Sequence, residues 1–356
     1  MNNSSSLFGS SSRSTFGSLA PVLVVVGLGV AGITASGCSS DGDGNGASGG
    51  AGSGGSSSGG AGGGASKAMY APCSDATRIG TMTVSVVPKT STGGGYSEFN
   101  GGIYDSVDPR NVWTEKTKEG DCRLITGPKS MCAPACTSGQ VCSLTTKQCV
   151  AEPEPQDAGT VSVAGLSAAF SADYRAGVYY KPITGAFPPA AAGADVTMSA
   201  AGAKVPAFSI TASGIDPLQV PEGDITLDTS KPLTITWTPP TKAGTSHVVV
   251  SLDLAHHGNV AAKLVCDVAD TGSTTIPVSL LTALAAEGVA GFPSVAIVRR
   301  ALNSATVGSG CVEFGVSSSL ERPLVLPGVM SCMCPNDTCE PCAAAGLTCK
   351  ANYTCG

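Results

Sequence analysis

The groups in this chain with the most chemistry to offer are its thiols and imidazoles, 15 cysteines and 3 histidines. Six of the thiols crowd the C-terminus, as Cys332-x-Cys334 and Cys339-x2-Cys342 followed by Cys349 and Cys355. Thiolates this close share Zn²⁺ or an iron–sulfur cluster in a reducing compartment and pair into disulfides in an oxidising one. The histidines are His247 and the adjacent His256 and His257, with Asp253 and Asp267 nearby in sequence. This is the one constellation that could hold a metal or act as acid and base, which would make the protein a metal-dependent hydrolase. Neighbours in a strand face opposite ways, however, and Gly258-Asn259 signals a turn. An exposed hairpin end without metal is the simpler expectation. No Ser-His-acid order and no paired carboxylates stand out, so no catalytic residue and no cofactor are expected.

The compartment decides what the thiols do, and the N-terminus bears on the compartment. Residues 1–20 are Ser-rich with Arg13 as their only charge, and they lead into an apolar stretch from Pro21 to about Ala35. That stretch is roughly 15 residues, short of the ~20 that a spanning helix needs, and it is interrupted by Gly27, Gly29 and Gly32. It ends in Ala35-Ser36-Gly37-Cys38, which resembles the lipobox of bacterial lipoproteins with Ala35 in place of the commoner Leu. The resemblance implies that residues 1–37 are a cleaved signal peptide and that Cys38 carries the lipid anchor to the membrane. Each buried CH₂ contributes about 0.8 kcal/mol, so several acyl chains on one residue anchor firmly where a single chain does not. Ser39 stands where Asp would favour inner-membrane retention, which points to the outer membrane. Setting Cys38 aside leaves 14 of the 15 cysteines, an even number able to pair fully.

Three local patterns fail on context. Gly27-Leu28-Gly29-Val30-Ala31-Gly32 matches a dinucleotide-binding turn, but no helix follows to present its N-terminus to a pyrophosphate. Asp41-Gly42-Asp43-Gly44-Asn45-Gly46 resembles half of an EF-hand loop, yet its twelfth position is Gly52 where a bidentate Glu belongs. The GxSxG matches at 46–50 and 55–59 lie in a Gly/Ser tract that cannot form a nucleophile elbow.

Residues 38–66 read as the lipidated Cys and a flexible Gly/Ser-rich tether, with an r.m.s. span of about 30 Å. Beyond it the pattern takes on period two. Met82, Val84 and Val86 alternate with Thr and Ser; Leu233, Ile235 and Trp237 do so with threonines; Val248, Val250, Leu252 and Leu254 form a third such run, and Val312, Phe314 and Val316 a fourth. Further strands are expected at 160–163, 196–200, 208–211, 263–268 and 294–298, with one short helix from Pro277 to Gly288. Trp237, Phe314 and Phe208 are expected in the core. Short strands between Gly/Pro turns predict a mostly β fold, an antiparallel β-sandwich of Ig-like or jelly-roll-like type over residues 67–328. A net charge of -6 without long runs of either sign argues against a nucleic-acid partner.

The remaining cysteines divide the chain. Cys132, Cys136, Cys142 and Cys149 form a compact cluster that resembles EGF-like or knottin-like repeats, with four cysteines where EGF modules have six. It is read as a disulfide-rich insertion over 122–156, with Cys132–Cys142 and Cys136–Cys149 the favoured pairing of the three possible. Cys266 and Cys311, in separate strands, are expected to pair across the sandwich, which leaves Cys73 with Cys122. Residues 329–356 form the Cys-rich tail. The stretch from Cys266 to Pro277, with Leu233–Pro239 and Ser251–Leu254, resembles lipoproteins of myxobacteria, which implies surface location and a β fold and supplies no reaction.

Together these features predict a cell-envelope lipoprotein exposed to the periplasm or cell surface, with a structural or interaction role and no enzyme activity. A carbohydrate- or protein-binding adhesin module is the first alternative, with a cell-surface glycan or protein as partner.

Overall fold

The computed structural model describes residues 70–89, 93–111, 113–127, 132–143, 146–255, 262–289, 292–330, 332, 340–350 and 354–356. The signal segment 1–37, Cys38, the tether to residue 66, His256, His257, Cys334 and Cys339 lie outside them. In chain order the strands are β1 Arg78–Val87, β2 Tyr96–Ile103, β3 Thr114–Glu119, β4 Cys122–Thr126, β5 Gln140–Cys142, β6 Cys149–Ala151, β7 Val161–Ala164, β8 Phe170–Ala172 and β9 Tyr179–Ile183. They continue with β10 Asp195–Ala200, β11 Phe208–Ser213, β12 Ile225–Thr226, β13 Leu233–Thr236, β14 His247–Asp253, β15 Ala262–Ala269, β16 Ser273–Ile276, β17 Ser294–Val307 and β18 Gly310–Val325. The helices are α1 Val278–Glu287 and α2 Glu340–Ala344.

The protein is mostly β. A ten-stranded sheet runs in the order β3-β4-β15-β14-β17-β18-β1-β2-β9, with β12 added to β18. Its pairings are antiparallel except for β1 and β12, which both lie parallel to β18. The hairpin β17–β18 is its spine, in unbroken register from Ser294↔Pro323 to Val307↔Gly310 around a turn at Gly308, whose φ of 61° suits glycine.

One face of this sheet builds two cores in succession. Met82, Val84, Phe99, Phe314 and Val316 pack against the four-stranded sheet β11-β10-β7-β8 through Val161, Val163, Val196, Met198 and Ile210, which makes a sandwich. Further along, Val248, Val250, Leu252, Leu264, Val295 and Ile297 pack under α1 and the two-stranded sheet β13-β16. Helix α1 starts after Pro277 and ends at Gly288, as its sequence predicts, and buries Leu280, Leu281 and Leu284. It is tied to β3 by the Lys116–Glu287 ion pair and by the bond from Ser279 to Glu119.

The sheet edges are guarded. Strand β3, Thr-Glu-Lys-Thr-Lys-Glu, is exposed throughout and charged at four of its six positions, and β9 carries Pro182, so neither edge invites a further strand.

Six disulfides join twelve cysteines among the described residues. Cys132 pairs with Cys142 and Cys136 with Cys149, the connectivity favoured from sequence. The long-range pairs differ from expectation: Cys73 joins Cys311, and Cys122 joins Cys266. Cys266 and Cys311 cannot meet because β14 and β17 separate their strands, about 14 Å at the usual strand spacing. They also face opposite sides, Cys266 inward in the second core and Cys311 outward. Cys122 instead lies directly across from Cys266 in the β4–β15 ladder, and the parallel β1 brings Cys73 to Cys311. The insertion is correspondingly shorter than 122–156, because Cys122–Thr126 is a strand of the main sheet. What stands apart is the stapled hairpin β5–β6, after which the chain rejoins β2 at the Tyr104↔Pro155 bridge.

Candidate functional site

Two polar clusters lie on opposite faces of the main sheet, and both grow from the dipeptide Arg299-Arg300 in the middle of β17. Successive strand residues point to opposite faces, so the two guanidinium groups diverge.

Arg299 faces inward at the boundary between the two cores, paired in register with Ser318 of β18. Its side chain is 1% exposed and meets Asp270, which is 0% exposed, so this charge pair is removed from water. Arg299 Nε donates to Asp270 Oδ2 at 2.6 Å, while its other nitrogens reach the carbonyls of Asp216, Pro217 and Thr238. The Asp270 carboxylate also accepts from Trp237 Nε1 and from Ser246 Oγ, each at 2.7 Å. Ser318 Oγ accepts the Leu218 N–H at 2.9 Å. The cluster thus binds the chain crossing between the cores, and its donors and acceptors are spent on that task.

Arg300 faces outward among residues brought from far apart. Its Nη2 donates to Asp267 Oδ2 at 2.9 Å, an oxygen that also accepts from the Tyr70 hydroxyl at 2.8 Å. His247 Nδ1 lies 3.1 Å from Asp267 Oδ1, and since a carboxylate only accepts, Nδ1 carries the proton. The Tyr70 ring is stacked on the His247 ring with centroids 3.9 Å apart, and the Arg300 guanidinium lies 5.2 Å from the Tyr70 centroid. Burial opposes ionisation of Asp267, yet the bond from His247, the Arg300 charge and the Tyr70 hydroxyl together hold its carboxyl below the ordinary value. Burial drives the Tyr70 phenol far above its ordinary pKa, so it stays a donor.

This arrangement continues along the outer face. Cys73 N–H donates to Glu313 Oε1 at 2.8 Å, and Arg78 stands 3.7 Å from the same oxygen, near enough for charge attraction though not for a hydrogen bond. Burial raises the pKa of Glu313, against the pull of Arg78. The segment Tyr70–Ser74 is therefore clamped by a disulfide, a stacked ring and a carboxylate.

Of the residues that the sequence singles out, the structure brings together His247 and Asp267, while Asp253 pairs with Lys263 at 3.5 Å. Among the described residues no serine, threonine or cysteine hydrogen-bonds His247, whose Nδ1 meets the Asp267 carboxylate. Sulfurs of Cys132, Cys136 and Cys149, and of Cys332, Cys342 and Cys355, lie close enough to one another for a metal, but each is held in a disulfide and offers no thiolate. No helix among the described residues is long and apolar enough to cross a membrane.

No protein-family model and no curated protein matches this chain. Among solved structures, the chain is similar to the FN1–FN3 domains of chicken CNTN1 at 11% identity and a TM-score of 0.18, over 64% of this chain and 77% of that one.

Proposed function

We propose that this chain is an exported lipoprotein, held by acyl chains on Cys38 at the outer membrane, whose disulfide-bonded β ectodomain has a structural or interaction role rather than a catalytic one. The observation that carries the reading is that all twelve described cysteines are paired, a state natural to an oxidising compartment. Two of the six bonds link residues 238 and 144 positions apart and so lock the main sheet, as befits a domain working outside the cell's reducing interior. The polar clusters agree with a non-catalytic role, since their hydrogen bonds clamp crossing segments of chain.

Detergent phase partition of the expressed protein tests the anchor. The natural chain enters the detergent phase, and Cys38→Ser moves it to the aqueous phase. A natural chain that already partitions into water contradicts the proposal.

A further inference from the structure

The outer face of β1, β2 and β9 contrasts with the inner one. Inward, Met82, Val84 and Phe99 are wholly buried. Outward, β1 presents Thr83 and Ser85, β2 presents Tyr96, Glu98, Asn100 and Gly102, and β9 presents Tyr180 and Pro182. Tyr96 and Tyr180 are 49% and 51% exposed, and Tyr104, which continues the β2 row, is 37% exposed. Exposed rings gathered on one face mark a recognition surface, because single exposed apolar groups scatter and rings otherwise go to the core.

The polar groups between the rings are loosely linked to one another. Tyr180 OH lies 3.3 Å from Glu98 Oε2, and Asn100 Nδ2 stands 3.4 Å from both Glu98 Oε1 and Ser85 Oγ. Contacts this long leave each group free to exchange its partner for a ligand hydroxyl. Gly102 lies under the Tyr104 ring, where an added Cβ would lie 3.5 Å from the Gly177 carbonyl oxygen and 3.6 Å from that ring. The row from Tyr96 to Tyr104 extends about 26 Å at the usual rise per strand residue, and the sandwich core behind holds it rigid.

We propose that this face binds a neutral polysaccharide, with sugar rings lying on Tyr96 and Tyr180 and their hydroxyls bonded by Glu98, Asn100 and Ser85. The proposal rests on the surface-displayed reading above and gives its interaction role a ligand class. A sugar ring offers an apolar C–H face to an aromatic ring and a rim of groups that both donate and accept, which carboxylate, amide and hydroxyl side chains match. Charge selects among sugars. Glu98 makes the face negative, and the outward residues of β1, β2 and β9 between the rings supply no Lys or Arg. Arg78 at the start of β1 sits beside Asp75 and Glu313, and the net charge is -6, so acidic polysaccharides are repelled. A protein partner would call for an anchor pocket at the centre of the patch, whereas these rings stand on an open face among polar groups.

Affinity electrophoresis of the full-length protein in gels containing laminarin, xylan or dextran, with alginate as the acidic control, tests this. The expected result is retardation by at least one neutral polysaccharide and none by alginate, weakened about tenfold by Tyr180→Ala and again by Tyr96→Ala. Both rings are exposed, so an unchanged melting temperature separates lost binding from lost fold. No retardation by any neutral polysaccharide, retardation by alginate alone, or full retardation of the double variant overturns the proposal. So does binding to whole cells that protease treatment abolishes and periodate oxidation spares, which would mean a protein partner. Should intact mass show that the retarded natural chain carries no lipid, the anchoring reading fails and this one stands.

Discussion

Arg299 and Arg300 are sequence neighbours with separate tasks, one holding two cores together and the other holding the N-terminal segment to the sheet. Removing the partner of the inner one leaves an uncompensated buried charge, so Asp270→Ala is expected to cost about 3–5 kcal/mol in urea unfolding. A loss under 1 kcal/mol would mean that the pair contributes little to the fold. The outer cluster predicts a pH dependence. Asp267 has a depressed folded pKa, so its contribution is complete above the unfolded value of 3.8 and is lost as pH falls through the lower folded value. Glu313 is raised by burial above 4.5, so its ionisation works against the fold above that value and is relieved as it takes up a proton on acidification. Stability should therefore hold or rise slightly towards pH 4.5 and then fall below 3.8, with a shallower fall in Asp267→Asn. Equal acid slopes of the urea midpoint in the two proteins would contradict the assignment. One signal in the sequence went unread: two arginines inside the apolar run Val295–Leu302 demand acids on both faces, although only the sheet order shows that Asp267 and Asp270 are those acids. Tyr70 gave no such signal, since its role depends on a fold contact 197 residues away.

At the level of elements, period-two patterning located β1, β7, β10, β11, β13, β14, β15, β17 and β18, because burial on one side and solvent on the other writes alternation into sequence. It missed β2 to β6, β8, β9, β12 and β16: β3 has six exposed residues, β2 breaks its alternation with Gly101 and Gly102, and the short β12 is held by its partner β18. The helix was legible for the opposite reason: Pro277, three leucines and Gly288 are local signals. Leu281 is fully buried under α1, so Leu281→Ala is expected to cost about 2–5 kcal/mol in the same unfolding assay. A neutral result would show that α1 does not cover the second core. The small hairpin forms the pairing favoured among three possible ones, whereas Cys73 and Cys122 were assigned by elimination and the sheet order pairs them otherwise. Replacing Cys73 and Cys311 together with serine should cost about 2–5 kcal/mol, towards the lower end because Cys122–Cys266 already closes most of the same loop. An unchanged midpoint would show that the segment is held without its disulfide.

Over the whole molecule, the sandwich class follows from composition and alternation, but the shared sheet does not. No local pattern announces that one long hairpin serves two cores, or that β1 lies parallel to β18, whose partners are more than 200 residues apart in sequence. The aromatic face is similar: Tyr96 and Tyr180 are unremarkable until β2 and β9 pair. The central claim joins the N-terminus to this fold, through a lipid on Cys38 and oxidised sulfur everywhere beyond it. The intact mass of the protein extracted from membranes tests both halves at once. The account predicts a chain beginning at Cys38, heavier by its acyl groups and lighter by the hydrogens of all 14 remaining thiols. An unmodified N-terminus together with free thiols would contradict it.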